Sequence, residues 1–201
     1  MIRRSTHGDT TVRLRWAIGL AVLAGTIVPL HRDRIGPREQ EAFRVVNSLP
    51  DRLYAPAWTV MQLGAFAAVP ATAGVALLTG NRTLARRLMT GGTMAWALAK
   101  VVKAVVRRGR PAALLGGVHS RGPESSGLGY LSGHAAVSTA LAAAAYPYLG
   151  RRGRRLAVAS ASVAGVSRIY VGAHLPLDVA GGVALGLLVD GASSIRRKAG
   201  R

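Results

Sequence analysis

Apolar residues along this chain gather into long runs and do not alternate with polar ones. Six stretches hold few charges and approach the roughly 20 helical residues needed to cross the hydrocarbon core of a bilayer: 16–30, 56–79, 88–106, 131–149, 156–173 and 175–191. The pattern predicts an all-α fold, an integral membrane bundle of six transmembrane helices in a single domain over 1–201. Segments 90–99 and 179–186 are rich in Ala and Gly, which lets helices approach closely where lipid supplies no hydrophobic drive to associate. Arginines precede the first run, as in a signal peptide. The residues that follow it, Val28, Pro29, Leu30, His31 and Arg32, contain no small-x-small cleavage site, so a retained span is the reading. Beyond it, 39–49 places Ala42, Phe43, Val45, Val46 and Leu49 near one helical face, the pattern of an interfacial amphipathic helix.

Charge sharpens this picture. Half of the 201 residues are hydrophobic, yet the formal net charge is +19. In a soluble chain that balance would point to nucleic acid. Here the basic residues sit in short clusters between apolar runs, as cytoplasmic loop markers do, and no nucleic-acid partner is expected. Arg3, Arg4, Arg13 and Arg15 precede the first run, and Arg82, Arg86 and Arg87 separate the second and third. Arg151, Arg152, Arg154 and Arg155 separate the fourth and fifth, and Arg196, Arg197, Lys198 and Arg201 close the chain. Both termini are therefore expected in the cytoplasm. The segment 31–52 is the exception, with five arginines on the outer side nearly balanced by Asp33, Glu39, Glu41 and Asp51. The absence of cysteine excludes disulfides, thiolate chemistry and zinc-cysteine sites.

Candidate chemistry collects at the expected outer ends of the runs. Lys100, Lys103, Arg107, Arg108 and Arg110 crowd the end of the third. Charge there is costly and usually retained for a task. If the helix continues, Lys103 and Arg110, seven apart, point the same way and suit an anion; snorkelling to headgroups is the alternative. Ser132, Gly133 and His134 open the fourth run, where free backbone N–H groups and the helix dipole can hold a phosphate and a histidine can protonate a leaving oxygen. The plainer account of that triplet alone is a capping turn. Between the fifth and sixth runs stand Arg168, His174 and Asp178. Asp178, one turn past His174, can fix its tautomer and leave the other ring nitrogen to attack; a structural Arg–Asp pair with a bystander histidine is the competing account.

Lys103 with Arg110-Pro111, then Ser132-Gly133-His134, then Ser167-Arg168 with His174 and Asp178, resembles the three-part motif of the type 2 phosphatidic acid phosphatase superfamily, in its bacterial membrane branch, over about 56–190. One position departs: Leu131 stands where the second motif usually has proline. The resemblance implies that His174 attacks phosphorus to form a phosphohistidine, oriented by Asp178. It implies that Lys103, Arg110, Arg168, Ser132 and Gly133 hold the phosphoryl oxygens, and that His134 protonates the leaving oxygen and then activates water. No metal or other cofactor is expected, since the chain has only eight acidic residues and no carboxylate cluster on the outer side could bind a two-metal centre. Loop 112–130, with many glycines and Pro123, reads as a mobile flap in which His119, Arg121 and Glu124 are mainly surface residues.

The expectation is a phosphatase of the bacterial inner membrane, with its site on the outer side and a membrane lipid as substrate. A polyprenyl diphosphate such as undecaprenyl diphosphate is ranked first, then phosphatidate or phosphatidylglycerol phosphate, then a prenyl-linked sugar phosphate. Two readings from other classes compete. A non-catalytic lipid-phosphate binder has no need for nucleophile, acid and orienting group together. A small transporter would place such charges nearer mid-membrane.

Overall fold

The structure is a computed structural model that describes the backbone of residues 6–27, 35–123 and 127–199, and the side chains of these except 6–13, 15 and 192–199. Arg3, Arg4, Val28, Pro29, Leu30, His31, Arg32, Asp33, Glu124 and Arg201 lie outside the described residues, as do the side chains of His7, Arg13, Arg15, Arg196, Arg197 and Lys198. Every regular element among the described residues is helical. In chain order they are α1 (Thr6–Ile27), α2 (Pro37–Asn47), α3 (Tyr54–Met61), α4 (Ala68–Leu78), α5 (Arg82–Val106), α6 (Pro111–Leu114), α7 (Gly133–Ala145), α8 (Arg151–Tyr170) and α9 (Pro176–Ala199).

Local chemistry sets the helix ends. Pro37, Pro111 and Pro176 open their helices, where a missing N–H goes unnoticed. Asn81 caps α5 by accepting from Leu84 N–H at 2.9 Å, and Ser132 caps α7. The sequence of α7 is nearly all Ala, Ser, Thr and Gly with two larger apolar residues, and its positions 135–141 are buried all round. That is the signature of a central helix. It packs against α5, α8 and α9, while α1 lies on α9, α4 on α5 and α3 on α8. Small residues make the central contact close: a Cβ at Gly186 would stand 2.6 Å from the Ala136 carbonyl oxygen.

Two expectations change. Run 56–79 is not one helix: α3 ends in a 3-10 turn at Gln62–Gly64, Ala65 is extended, and the axes of Asp51–Gly64 and Ala68–Leu78 are bent by 72°. The break falls where Gly64 meets the backbone of α7. Six continuous spans are likewise not found, because among the described residues no single helix is both long and apolar enough to cross a membrane. The helices α5 and α8 have the length, 25 and 20 residues, but their first turns hold arginines and alanine replaces larger apolar residues along them. Of the others, α1 and α9 run to 22 and 24 residues, whereas α3, α4 and α7 are short, α7 having 13 residues before a 3-10 turn at Tyr146–Tyr148.

The expected amphipathic helix is α2, shifted two residues toward the amino terminus. Phe43, 2 % exposed, and Val46 turn inward against α8 and α9, whereas Val45 faces outward.

Candidate active site

The three clusters meet at one end of the bundle, because α5 and α8 arrive there with their carboxyl ends while α7 and α9 start there. Lys103, in the last turn of α5, donates to the carbonyl oxygens of Leu128 and Gly129, both at 2.9 Å. Arg107 then takes a left-handed conformation (φ 55°) and stops the helix. Lys103 and Arg110 therefore do not share one helix face. Arg110 still reaches the site by another route. It precedes Pro111 at the start of α6, and its guanidinium donates to the Ala173 carbonyl at 3.0 Å.

At the start of α7 the Ser132 hydroxyl accepts from Ala135 N–H at 3.4 Å, and the Ser132 N–H donates to the Asp178 carbonyl at 2.8 Å. Leu131, in the position of the usual proline, is fully buried in a cluster with Tyr130, Ala95 and Ala136, so packing fixes the approach to the helix. Gly133 begins α7 and His134 follows, half-buried. Lys103, Arg110 and Arg168 all lie close enough for their charges to act on the His134 ring. Gly64 packs on its main chain, where a Cβ would stand 2.5 Å from the His134 carbonyl oxygen.

At the end of α8 the Arg168 carbonyl accepts from the N–H groups of Ala173 and His174 at 3.0 and 3.1 Å, closing a tight turn through Gly172 (φ 77°). The Arg168 side chain donates to the Met61 sulfur at 3.1 Å. His174, in the loop between α8 and α9, is 2 % exposed. Burial pushes its imidazole pKa down to about 4, against the opposing pull of Asp178, so the ring is neutral at ordinary pH. Its Nδ1 lies 3.5 Å from Asp178 Oδ2. That is long for a hydrogen bond. Arg110 Nε and Arg168 Nε are buried without a partner among the described residues, two donors suited to an anion.

Two residues that the sequence did not single out hold this arrangement. Arg108 donates to Asp178 Oδ1 at 2.8 Å and to both oxygens of Glu39 at 3.0 and 2.7 Å. Burial would lower the Arg108 pKa, but the hydrogen bonds and charges of Glu39 and Asp178 outweigh it and raise it. Arg108 was visible as one of a crowd of cations after α5, and Glu39 gave no sign beyond its charge. A third anchor lies in loop 112–130. Arg121 donates to Asp51, to the carbonyls of Asn47, Leu49 and Tyr170, and stacks on the Tyr170 ring at 4.3 Å. Asn47 pairs with the backbone of His119 on both sides, at 2.8 and 2.9 Å. Arg121 is thus a brace between α2, α8 and the loop, and His119 is exposed.

Chemically, the site offers a buried neutral histidine beside a carboxylate, a second histidine at a helix start, and three cations around them. Among the described residues no group of three or more His, Cys, Asp or Glu side chains is placed to hold a metal ion.

A family model described as the PAP2 superfamily matches residues 84–198, a stretch that contains every site residue named from the sequence and leaves out Glu39. Among solved structures the chain is similar to LpxE of Aquifex aeolicus, at 23 % identity and a TM-score of 0.71 over 78 % of this chain and 94 % of that one. It is also similar to the first transmembrane PAP2-type phosphatidylglycerolphosphate phosphatase of Bacillus subtilis, at 21 % identity and a TM-score of 0.66 over 91 % and 97 %. A search of curated proteins finds no match.

Proposed function

The chain belongs to the PAP2 superfamily and is a phosphoester hydrolase, and on that premise we propose that it removes phosphate from a membrane lipid through a phosphohistidine, without a metal. The observation that carries this reading is the buried His174–Asp178 pair set among Lys103, Arg110 and Arg168, with two guanidinium Nε donors left without a partner among the described residues.

The chemistry follows from those positions. The phosphoryl group of the substrate sits against Arg110, Arg168 and Lys103, with Ser132 and the Gly133 N–H at the start of α7 beside it, and their charge stabilises its oxygens in the transition state. The neutral His174 ring forms a bond to phosphorus through the nitrogen that does not face Asp178, and the bond from phosphorus to the lipid oxygen breaks. His134 gives its proton to that oxygen. Asp178 holds the proton on the other nitrogen and faces the positive ring that results. His134, now neutral, takes a proton from water, which attacks phosphorus and frees inorganic phosphate and His174.

Placement in a membrane rests on what the outer faces of the bundle carry. Leu78 is 90 % exposed and Val105 76 %, and Val75, Val101, Leu156 and Val158 are also bare. Such surfaces are costly in water and natural against lipid. In this reading α1, the bent pair α3–α4, α5, α7, α8 and α9 make six passes, with α2 at the outer interface. The arginines at the starts of α5 and α8 lie at the ends opposite the site, which supports a reading with those ends on the cytoplasmic side of an inner membrane. A site at the outer boundary takes a phosphate whose tail remains in lipid.

A polyprenyl diphosphate, with undecaprenyl diphosphate as the leading case, is the first substrate choice. Phosphatidylglycerol phosphate is the second, favoured by the likeness to the Bacillus subtilis enzyme named for it. The test is phosphate release by purified protein from a panel of prenyl and glycerol lipid phosphates in excess EDTA. Release that His174→Ala abolishes is expected. Activity that disappears with EDTA or survives the substitution overturns the mechanism.

A further inference from the structure

The three charges behind His174 are more than the histidine–carboxylate pair needs. Asp178 is fully buried, and its Oδ2 takes the Leu175 N–H at 2.9 Å and faces His174. Its Oδ1 takes Arg108 at 2.8 Å. A guanidinium that close would neutralise the carboxylate just where the mechanism requires its charge. Glu39, whose side chain is 7 % exposed, meets the same guanidinium in a two-bond fork. Its Oε1 also accepts the Leu177 N–H at 3.2 Å, so it grips the first turn of α9, one residue from Asp178.

We propose that Glu39 is a positioning residue for the nucleophile: by balancing Arg108 it leaves the negative charge of Asp178 for His174. The inference rests on the phosphohistidine reading above. Glu39, Arg108 and Asp178 together carry one negative charge. When His174 bonds to phosphorus with its second nitrogen still protonated, the ring gains one positive charge, and the four groups become neutral together. Without Glu39 the arginine and aspartate already cancel, and the phosphorylated ring stands as an uncompensated buried cation. Glu39 lies on α2, outside the matched residues 84–198, so the charge balance of the site comes from a part of the chain that carries none of its motif.

A purely structural Glu39 would also matter, so the experiment separates charge from shape. Glu39→Gln keeps the size and one acceptor and removes the charge. With an aryl phosphate as substrate, kcat is expected to fall about 10- to 100-fold while KM stays within about 2-fold, and trapped phosphohistidine falls with kcat. The double variant Glu39→Gln, Arg108→Met removes both charges and returns the site to one negative charge on Asp178. It is expected to recover most of the lost kcat. An unchanged kcat in Glu39→Gln, or a double variant slower than the single one, overturns the proposal, since a structural tie would only weaken further. Should Glu39→Gln fail to fold, Glu39→Asp decides: it keeps the charge, so a kcat within about 3-fold of wild type supports the proposal and a larger loss overturns it. Wild-type protein without phosphate release dependent on His174 would instead overturn the phosphatase reading, and this inference with it.

Discussion

Arg110 donates to the carbonyl oxygen of Ala173 at 3.0 Å, so a cation proposed to hold the substrate also steadies the residue just before His174, the proposed nucleophile. One arm of the guanidinium is thereby committed to the loop, while its Nε has no partner among the described residues.

That division of labour makes Arg110→Lys a severe change. Lysine keeps the charge but offers no planar fork, so it cannot hold Ala173 and a phosphoryl oxygen at once. Steady-state kinetics should show kcat/KM lower by about 100-fold, the usual scale for losing one donor to a transition-state oxygen. A loss under about 3-fold would show that Arg110 serves only as a charge.

The roles proposed for the two histidines predict different step defects. In His134→Ala the proton for the lipid oxygen is missing, and losing a general acid costs about 10²- to 10⁴-fold. An aryl phosphate, whose phenolate leaves without a proton, should bypass the first loss and still meet the second, because water is no longer activated. Labelled phosphohistidine should therefore build up in His134→Ala when an aryl phosphate is supplied, as seen after an alkaline quench. Equal losses on both substrates, with no labelled protein, would remove His134 from both steps.

How much of this was legible in the sequence depends on the range of the interaction. Lys103, Ser132, His134, Arg168, His174 and Asp178 were readable because each sits at the end of an apolar run, where a polar group is costly unless it serves a task. The pairing of His174 with Asp178 is local, one turn of chain, and the structure keeps it at 3.5 Å. Arg110 is a site residue through the motif it shares with Lys103 and Pro111; the condition for one shared helix face is not met, since Arg107 ends α5. Glu39 and Arg108 were not readable, as their bonds join residues 69 and 70 apart in sequence to Asp178 and one another, and no periodicity encodes such a pairing. The bend in 56–79 has a local sign, Pro70 in the first turn of α4, which cannot donate to residue 66, and a distant one that no periodicity encodes, the close approach of Gly64 to the backbone of His134.

Gly64 gives a test of that packing. A methyl there would meet the His134 carbonyl oxygen at 2.5 Å, a contact that backbone on both sides cannot relax. Gly64→Ala should lower the midpoint of thermal unfolding in detergent, in line with about 1–3 kcal/mol for overpacking, and lower kcat by displacing His134. Gly74 in α4 has open space around it and serves as the control. A Gly64→Ala protein as stable and active as Gly74→Ala would show that the break in α3–α4 owes nothing to this contact.

Burial of His174 makes a prediction about pH. Its pKa is pushed from the ordinary 6.5 to about 4 in the folded protein. Between those values the unfolded chain binds a proton at this residue and the folded chain does not. Stability therefore rises with pH across that window and is lost as pH falls from about 6.5 toward 4. Other groups titrate in the same range, so the informative quantity is the difference between wild type and His174→Asn, which has no proton to bind. The melting temperature of the wild type in detergent should drop faster than that of the variant as pH is lowered from 7 to about 4.5, with the two curves parallel above pH 7. Parallel curves throughout would mean that His174 titrates as an ordinary exposed histidine, and a nucleophile held neutral by burial would have to be given up.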